Sequence, residues 1–154
     1  MPITDYNNRY MEEASSPGKL ANYQDYSADT KAAEEEIPYG AAVQLGADGE
    51  GVTKVKASGS PYGIALAQEM HDWVRNADDQ HYKKFKPIAV VRKGVIWVEA
   101  GEDVLTGEKA NVSPTDGKFY ASDTVTVGTV EVPTGRFKSK ATTGNLVQLE
   151  INQP

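Results

Sequence analysis

The chain has 154 residues, the size of one ordinary domain, and it contains no cysteine. The absence of cysteine excludes disulfide scaffolds, cysteine-containing zinc sites and thiol catalysis. A net charge of −6 argues against duplex nucleic acid and anionic membranes as partners, since both attract basic surfaces. No stretch approaches the roughly 20 apolar residues of a membrane span, and the N-terminus lacks the features of a secretory signal.

The first quarter of the chain is acidic and poor in aliphatic residues. Residues 1–36 contain eight acidic and three basic residues, but only Ile3 and Leu20 among the large aliphatic residues. Two such side chains cannot build a core, so we predict an extended N-terminal arm over residues 1–36 and a body over residues 37–154. Deletion of residues 1–30 is therefore expected to leave the body folded.

The predicted arm nevertheless carries residues that suit a binding surface, because tyrosine combines a large contact area with a polar tip. One interpretation is that these residues anchor the arm to a partner. The other is that the arm is a tail whose aromatic side chains fold back on its own body. With a tryptophan from a later segment, the candidate contacts are Tyr6, Tyr10, Met11, Tyr23, Tyr26 and Trp73.

From Ile37 onward, apolar residues mostly alternate with polar residues, as in Val147, Leu149 and Ile151. This period of two is typical of half-buried β-strands. Turn signals separate the runs at short intervals, so we predict an all-β body, either a sandwich (jelly-roll-like) or a small β-barrel. The turn signals are Asp48-Gly49, Ser58-Gly59, Lys93-Gly94, Ala100-Gly101, Thr106-Gly107, Asp116-Gly117, Thr134-Gly135 and Thr143-Gly144.

Three segments depart from simple alternation. Residues 92–99 are apolar on both faces, which predicts a central strand, or a strand with one face against another chain. Between Asp123 and Val132 the alternation slips at Gly128, which predicts a bulge or a tight bend. Residues 68–86 are polar with some helical spacing, which predicts a short helix or a loop between two strands.

The sequence offers little for catalysis. His71 and His81 are separated by nine residues, which does not match the spacing of a helical zinc site. No nucleophile-elbow motif and no phosphate-binding loop occurs. The only basic run, Lys83-Lys84-Phe85-Lys86, is compatible with single-stranded nucleic acid, but in an acidic chain a solubilising loop is the better interpretation. We therefore predict no catalytic centre, no metal and no cofactor.

Several short segments, marked by glycine, proline or alternating apolar residues, follow one another in a definite order. They are Pro17-Gly18, Glu36 to Gly40 with Ala42-Val43, Gly63 to Leu66, Arg92 to Val98, Val104 to Gly107, Ala110 to Phe119 and Leu146 to Leu149. In order and spacing, these segments resemble the structural cement, or decoration, proteins of tailed-phage heads. The resemblance covers residues 17–151. Residues 1–16 match nothing in the family pattern, and residues 68–86 are longer and more polar than that pattern.

The resemblance implies a β-sandwich or barrel that lies on the outer surface of the virion capsid. Such a protein binds the phage major capsid protein and neighbouring copies of itself, and it helps the shell to resist internal DNA pressure. By analogy with decoration proteins, a homotrimer is favoured over a homodimer, with neither nucleic acid nor a membrane as partner.

Two other functions remain open at this point. A carbohydrate- or host-surface-binding β module of a virion appendage would also use exposed tyrosine and tryptophan, in that case to stack on sugars. An enzyme built on a β-barrel would require His71 or His81 to converge with carboxylates.

Overall fold

The computed structural model of the protein describes residues 17–22, 26–67 and 81–153. In these ranges every regular element is a β-strand, and no helix is present that could cross a membrane. The strands are β1 (Ser27–Ala33), β2 (Ile37–Pro38), β3 (Ala42–Leu45), β4 (Gly51–Lys54), β5 (Gly63–Ala65), β6 (His81–Tyr82), β7 (Pro87–Glu99), β8 (Lys109–Val112), β9 (Phe119–Ala121), β10 (Val130–Phe137) and β11 (Leu146–Asn152). The prediction of an all-β fold is confirmed. Residues 68–80, where a short helix was considered, lie outside the described residues.

Five strands close into a small barrel. They lie in the order β1-β4-β3-β5-β7, and β1 also pairs with β7, so this part of the sheet has no open edge. Strand β1 is antiparallel to β7, with Asp29 opposite Val90, and parallel to β4, with Ala33 opposite Val52. Of the two predicted architectures, the small barrel is therefore the one that forms.

Strand β7 also belongs to a second set of strands. Its second half pairs with β11, and β10, β8 and β9 follow in that order. A parallel bridge between Ala100 and Phe119, with the Gly101 N–H donating to the Phe119 carbonyl at 2.8 Å, brings β9 back to the end of β7. The 13 residues of β7 therefore form a wall common to both parts, while β2 and β6 pair separately.

The buried side chains form two clusters that meet at this wall. Val90 and Val91 are neighbours on β7, and they contribute to different clusters because successive side chains of a strand point to opposite faces. Large buried members are Phe119, Phe137, Ile96 and Leu149 in the larger cluster, and Ile37, Val43, Val52 and Ile88 in the smaller one. The predicted central position of residues 92–99 is confirmed, since Val95 and Val98 are buried on opposite faces of β7.

Two of the predicted turns lie inside strands instead. Gly94 is in the middle of β7 with a φ of 139°, and a Cβ there would lie 3.0 Å from the Cβ of Tyr26. Thr134 has a φ of 60° within β10, where the pairing of β10 with β8 shifts its register. Gly94 allows two segments of the chain to approach closely, and Thr134 lies at a break in register. Neither residue marks a chain reversal. The predicted bend at Gly128 is confirmed by its φ of 84° in a turn before β10.

The described part of the predicted arm belongs to the body. Leu20 is only 6% exposed, forms a bridge with Ile96 and joins the larger core cluster. Residues 27–33 form β1, which closes the barrel. Leu20 and β1 therefore pair with the body although they precede the predicted boundary at Ile37, because backbone pairing with β7 holds a segment that is poor in large aliphatic side chains. Residues 1–16 and 23–25 lie outside the described residues.

Candidate partner-binding site

The structure locates one residue of the predicted contact set. Tyr26 directly precedes β1 and is 45% exposed, with its Cβ beside Gly94 of β7. The other members of the set lie outside the described residues: Tyr6, Tyr10, Met11, Tyr23 and Trp73.

Two glycines join the segments on which the family resemblance depends. The Gly18 N–H donates to the Trp97 carbonyl at 2.8 Å, and the Gly40 N–H donates to the Ala65 carbonyl at 2.9 Å. The Gly18 carbonyl in turn accepts from the Ala67 N–H at 2.8 Å. Both glycines have a φ of 81°, and a Cβ on Gly18 would lie 2.6 Å from the nitrogen of Gly40. Only glycine fits at this glycine joint, so these motifs hold the frame together.

An open cleft lies beside the glycine joint. Pro17, Pro38 and Tyr39 line one side, and the loop of residues 113–118 between β8 and β9 lines the other. The cleft has a volume of about 360 Å³. Tyr39 is held by an edge-to-face contact with Tyr82, whose ring centroid lies 5.2 Å away. The cleft is thus a groove of mixed polarity between the barrel and the second set of strands.

Hydrogen bonds fix the charge on the loop side of the cleft. Asp116 accepts from the Lys118 N–H at 2.9 Å and from the Tyr120 hydroxyl at 2.7 Å. Burial acts to raise the pKa of Asp116, but the bonds from Lys118 and Tyr120 outweigh it and hold this pKa below its ordinary value. The bond to Asp116, with burial second, raises the pKa of Tyr120 to about 12. Neither group titrates near neutral pH, so neither is suited to general acid or base catalysis there.

His81 contacts the carboxylate of Glu36. Its Nε2 lies 3.6 Å from Glu36 Oε1, next to the short pairing of β2 with β6. In the described part of the chain, no three histidine or acidic side chains come together in a way that could hold a metal ion. His71 lies outside the described residues. Among the described residues, the enzymatic alternative would therefore have to use His81.

The sequence did not reveal a cluster of cations around Tyr62 on the barrel. The Arg92 guanidinium lies 3.8 Å from the Tyr62 ring centroid, and the Lys31 ammonium lies 5.5 Å from it. The Tyr62 hydroxyl donates to the Asp29 carboxylate. Because Asp29 and Lys31 are on β1 and Arg92 is on β7, the cluster ties β1 to the rest of the barrel. The sequence contains one sign of this cluster, namely the opposite charges of Asp29 and Lys31, which lie two residues apart on β1.

The basic run forms a tight turn that presents an aromatic ring to solvent. Phe85 is 78% exposed, and its φ of 69° lies in the left-handed region that favours glycine. Two hydrogen bonds hold this basic turn (residues 83–86) to the end of β1. The Phe85 N–H donates to the Ala33 carbonyl at 2.7 Å, and the Ala33 N–H donates to the Lys86 carbonyl at 2.9 Å. The Lys84 ammonium lies 4.8 Å from the Phe85 ring centroid, so a charge and an exposed ring lie side by side on this turn.

The connection between β9 and β10 exposes two valines. Val125 and Val127 are 95% and 91% exposed. Below them the loop is anchored, since the Thr124 hydroxyl donates to Glu102 at 2.9 Å. Val125 and Val127, which alternate with polar residues in the sequence, are thus outward side chains of an anchored loop and not part of a strand. The loop and the basic turn thus both present apolar side chains to solvent.

Comparison with known protein families gives a match that covers almost the whole chain. The model of the structural cement protein family (E217 gp24/Pam3 gp6) matches residues 3–152. That family consists of structural phage proteins and not of enzymes. A search of curated proteins gives no match.

Solved structures of phage head proteins share the fold. One chain from the capsid of Myoviridae phage XM1 is similar at 17% identity and a TM-score of 0.72, covering 95% of this chain and 96% of that chain. The head fibre gp8.5 N base of bacteriophage phi29 is similar at 19% identity and a TM-score of 0.53, covering 82% of this chain and 94% of that chain. At such low identities, both similarities concern the fold alone.

Proposed function

Because the chain belongs to the structural cement protein family of phages, we propose that it binds the outer surface of the major capsid shell and stabilises that shell against the pressure of packaged DNA. The observation that carries this proposal is the family match over residues 3–152. The protein is a structural component of the virion and not an enzyme, so its function lies in the contacts that its surface makes.

The body is suited to a permanent place on a shell. The barrel is closed, so it offers no open strand edge to which other chains could add. Phe85, Val125 and Val127 are exposed on short connections held by hydrogen bonds, where contacts with a partner do not disturb the core. These features support a rigid binding module.

The proposed contacts with the shell or with neighbouring copies lie on the aromatic residues and the methionine of the N-terminal region, together with one tryptophan. Truncation of a buried aromatic anchor to alanine commonly costs about 2 kcal/mol of binding free energy. The exposure of Tyr26 next to β1 supports this assignment for that residue. The full set is Tyr6, Tyr10, Met11, Tyr23, Tyr26 and Trp73.

We further propose that the bound protein is a homotrimer in preference to a homodimer. Closed symmetric assemblies are the usual outcome for chains that contact their own copies, and the preference for a trimer rests on analogy with decoration proteins. Nucleic acid and membranes have no part in this proposal, because the net charge of −6 disfavours binding to duplex nucleic acid and to anionic membranes.

Undecorated capsids provide the test. Purified full-length protein is added to such particles, which are then imaged and heated to measure the temperature at which DNA is released. We expect density at regular positions on the outer surface and a higher release temperature. Particles that stay bare would contradict binding, and an unchanged release temperature on decorated particles would contradict stabilisation. Binding to a glycan array without binding to particles would favour the appendage module.

A further inference from the structure

Two exposed surfaces of the fold have complementary chemistry, and neither covers the other within one copy. The first is the basic turn. The second, the loop face (residues 101–108 and 122–131), consists of the connections that follow β7 and β9 together with the start of β10. We propose that the basic turn of one copy docks on the loop face of a neighbouring copy. The inference deepens the proposed function and rests on it in one respect, since it names a contact between the copies that decorate a shell.

The loop face exposes large apolar side chains that the core does not use. Val125 and Val127 are almost fully exposed, and Leu105 is 64% exposed on the adjacent connection. The bond from the Thr124 hydroxyl to Glu102 joins these two connections to each other. The three apolar side chains therefore lie on a pair of loops that the fold holds together, and they are available to a partner.

Negative charge surrounds these apolar side chains. The loop face contains five acidic residues and no basic residue, and three basic residues border it (Lys109, Arg136 and Lys140), so the net charge of the region is −2. Among the residues that the structure describes, none of the five carboxylates forms an ion pair. Asp123 precedes the two valines and Glu131 follows them, and both are exposed. The acidic residues of the loop face are Glu102, Asp103, Glu108, Asp123 and Glu131.

The basic turn has the complementary arrangement. Lys84 and Lys86 flank the ring of Phe85, just as acidic residues flank the valines of the loop face. In the part of the chain that the structure describes, the lysines of the turn form no ion pair. Phe85 is 78% exposed at a left-handed φ, which glycine adopts without strain and an aromatic residue does not. An exposed aromatic residue at a strained position is an observation from which contact with another molecule can be inferred.

Exposure shows that the two surfaces do not meet within one copy. If they did, the ring of Phe85 and the two valines would cover one another, whereas all three side chains are open to solvent. Hydrogen bonds also hold both surfaces in place, with the turn bonded to Ala33 of the barrel and the loop face bonded through Glu102 beside the second set of strands. The complementary surface is therefore available on another copy.

A contact of this kind would bury apolar surface and pair opposite charges at the same time. The aromatic ring would pack on the valines at the centre, which is where buried anchors contribute most to binding. The lysines would lie near carboxylates around that centre, where charges orient the partners and speed their association. Because exposed charges are screened by salt, we expect the contact to weaken as the salt concentration rises.

Cysteine cross-linking tests the contact directly, because the native chain contains no cysteine. One full-length variant carries Lys84→Cys and a second carries Thr126→Cys, both at exposed positions that leave Phe85 and the two valines in place. The two variants bear tags of different length, are mixed and oxidised in solution, and their products are separated on a gel. We expect the mixed pair to exceed the share that random collisions give. Ala57→Cys, at an exposed position of the barrel, replaces Thr126→Cys in the matched control and should give only the random share.

Charge exchange separates a specific contact from chance encounters. In the first variant, Lys83→Glu and Lys86→Glu reverse the charge of the turn. In the second, Asp123→Lys and Glu131→Lys reverse the charge beside the valines. Either reversal alone should lower the yield of the mixed pair by about fivefold or more, and the two reversals together should restore it. All four side chains are exposed, so the melting midpoints should stay unchanged.

The apolar part of the contact has its own pair of variants. Val125→Ser with Val127→Ser should lower the yield of the mixed pair by about fivefold, because the ring of Phe85 loses the side chains on which it packs. Val125→Ile with Val127→Ile keeps an apolar surface of nearly the same shape and should cross-link as the parent chain does. Both valines are open to solvent, so neither pair of substitutions should change the melting midpoint.

The same cross-linking on capsids separates this inference from the proposed function. The mixtures are added to undecorated particles and oxidised there. An excess of the mixed pair over the control, in solution or on particles, supports the contact, and the absence of an excess in both would overturn it. Particles that are decorated without that excess leave capsid binding standing, whereas bare particles with an excess in solution contradict capsid binding alone.

Two further results would overturn the contact between copies. One is a mixed pair whose yield changes neither with the charge reversals nor with the serine substitutions. The other is a reversed turn that cross-links normally but no longer decorates particles, which would assign the charge of the turn to the shell.

Discussion

The glycine joint and the basic turn both contain residues with a left-handed backbone, but they differ in what surrounds those residues. At the joint, Gly18 and Gly40 have a φ of 81°, and neighbouring backbone atoms leave no room for a Cβ. In the turn, Phe85 has a φ of 69° and its side chain is in solvent. The fold therefore requires glycine at the joint, whereas it does not require phenylalanine in the turn. This difference separates residues that hold the frame from residues that are free to make contacts.

Deletion of the N-terminal residues should have the largest effect on the frame. Removal of residues 1–30 takes away Gly18, Leu20 and half of β1, so we expect the barrel to open and the melting midpoint to fall by more than about 10 °C. Removal of residues 1–16 should leave the midpoint unchanged. Circular dichroism melting measures both. Equal midpoints for the two deletions would support the arm boundary at residue 36 and contradict the role of β1.

A single methyl group at the joint should have the next largest effect. Gly18→Ala should lower the free energy of unfolding by about 3 kcal/mol, because a clash with backbone atoms adds to left-handed strain. Gly144→Ala is the matched control, with a φ of 83° and no atom within 4 Å of the added Cβ. It should cost about 1 kcal/mol. Equal losses in urea unfolding would mean that strain alone, and not crowding, determines the joint.

Acidification should weaken the loop side of the cleft by a smaller amount. The folded-state pKa of Asp116 is lowered from 3.8, so the folded chain binds fewer protons than the unfolded chain. Its contribution to stability is complete above the unfolded pKa and is lost as pH falls through the folded pKa. Tyr120→Phe removes one of the bonds responsible. The variant should therefore lose stability less steeply than wild type from about pH 5 to pH 3 in urea unfolding. Parallel curves would contradict this assignment.

The smallest expected change in stability comes from the turn. Phe85→Gly should raise the free energy of unfolding by about 1 kcal/mol or leave it unchanged, because left-handed strain is relieved while the unfolded chain gains entropy. Phe85→Ala keeps the strain and loses only an exposed ring, so it should match wild type within about 0.5 kcal/mol. A large loss in either variant would mean that the ring belongs to the frame after all.

The strands that the sequence predicted best are those with large aliphatic side chains. Strands β7 and β11 were predictable because burial on one or both faces leaves a period of two in their residues. Strand β1 was not, since Ala33 is its one buried residue and none of its side chains is large and aliphatic. Backbone pairing with β7 and β4 holds β1 in place, and such pairing leaves no mark in composition. For the same reason, the sequence did not decide between a sandwich and a closed barrel.

Surface features were predictable in their chemistry but not in their geometry. The sequence identified the basic run, but the exposure of Phe85 depends on a left-handed turn that no residue pattern specifies. Likewise, Lys93-Gly94 and Thr134-Gly135 looked like turns because glycine marks both reversals and close approaches. Which of the two applies is decided by distant segments, such as Tyr26 beside Gly94.

The shared strand β7 has a mechanical consequence. Its first half completes the barrel and its second half completes the other set of strands, with Val90 and Val91 in different clusters. Freeing β7 from either part would expose both clusters to water, so we expect the described body to lose its structure in one cooperative step and not domain by domain. Tension applied to one part passes to the other through a continuous covalent strand, and not through a linker that could bend.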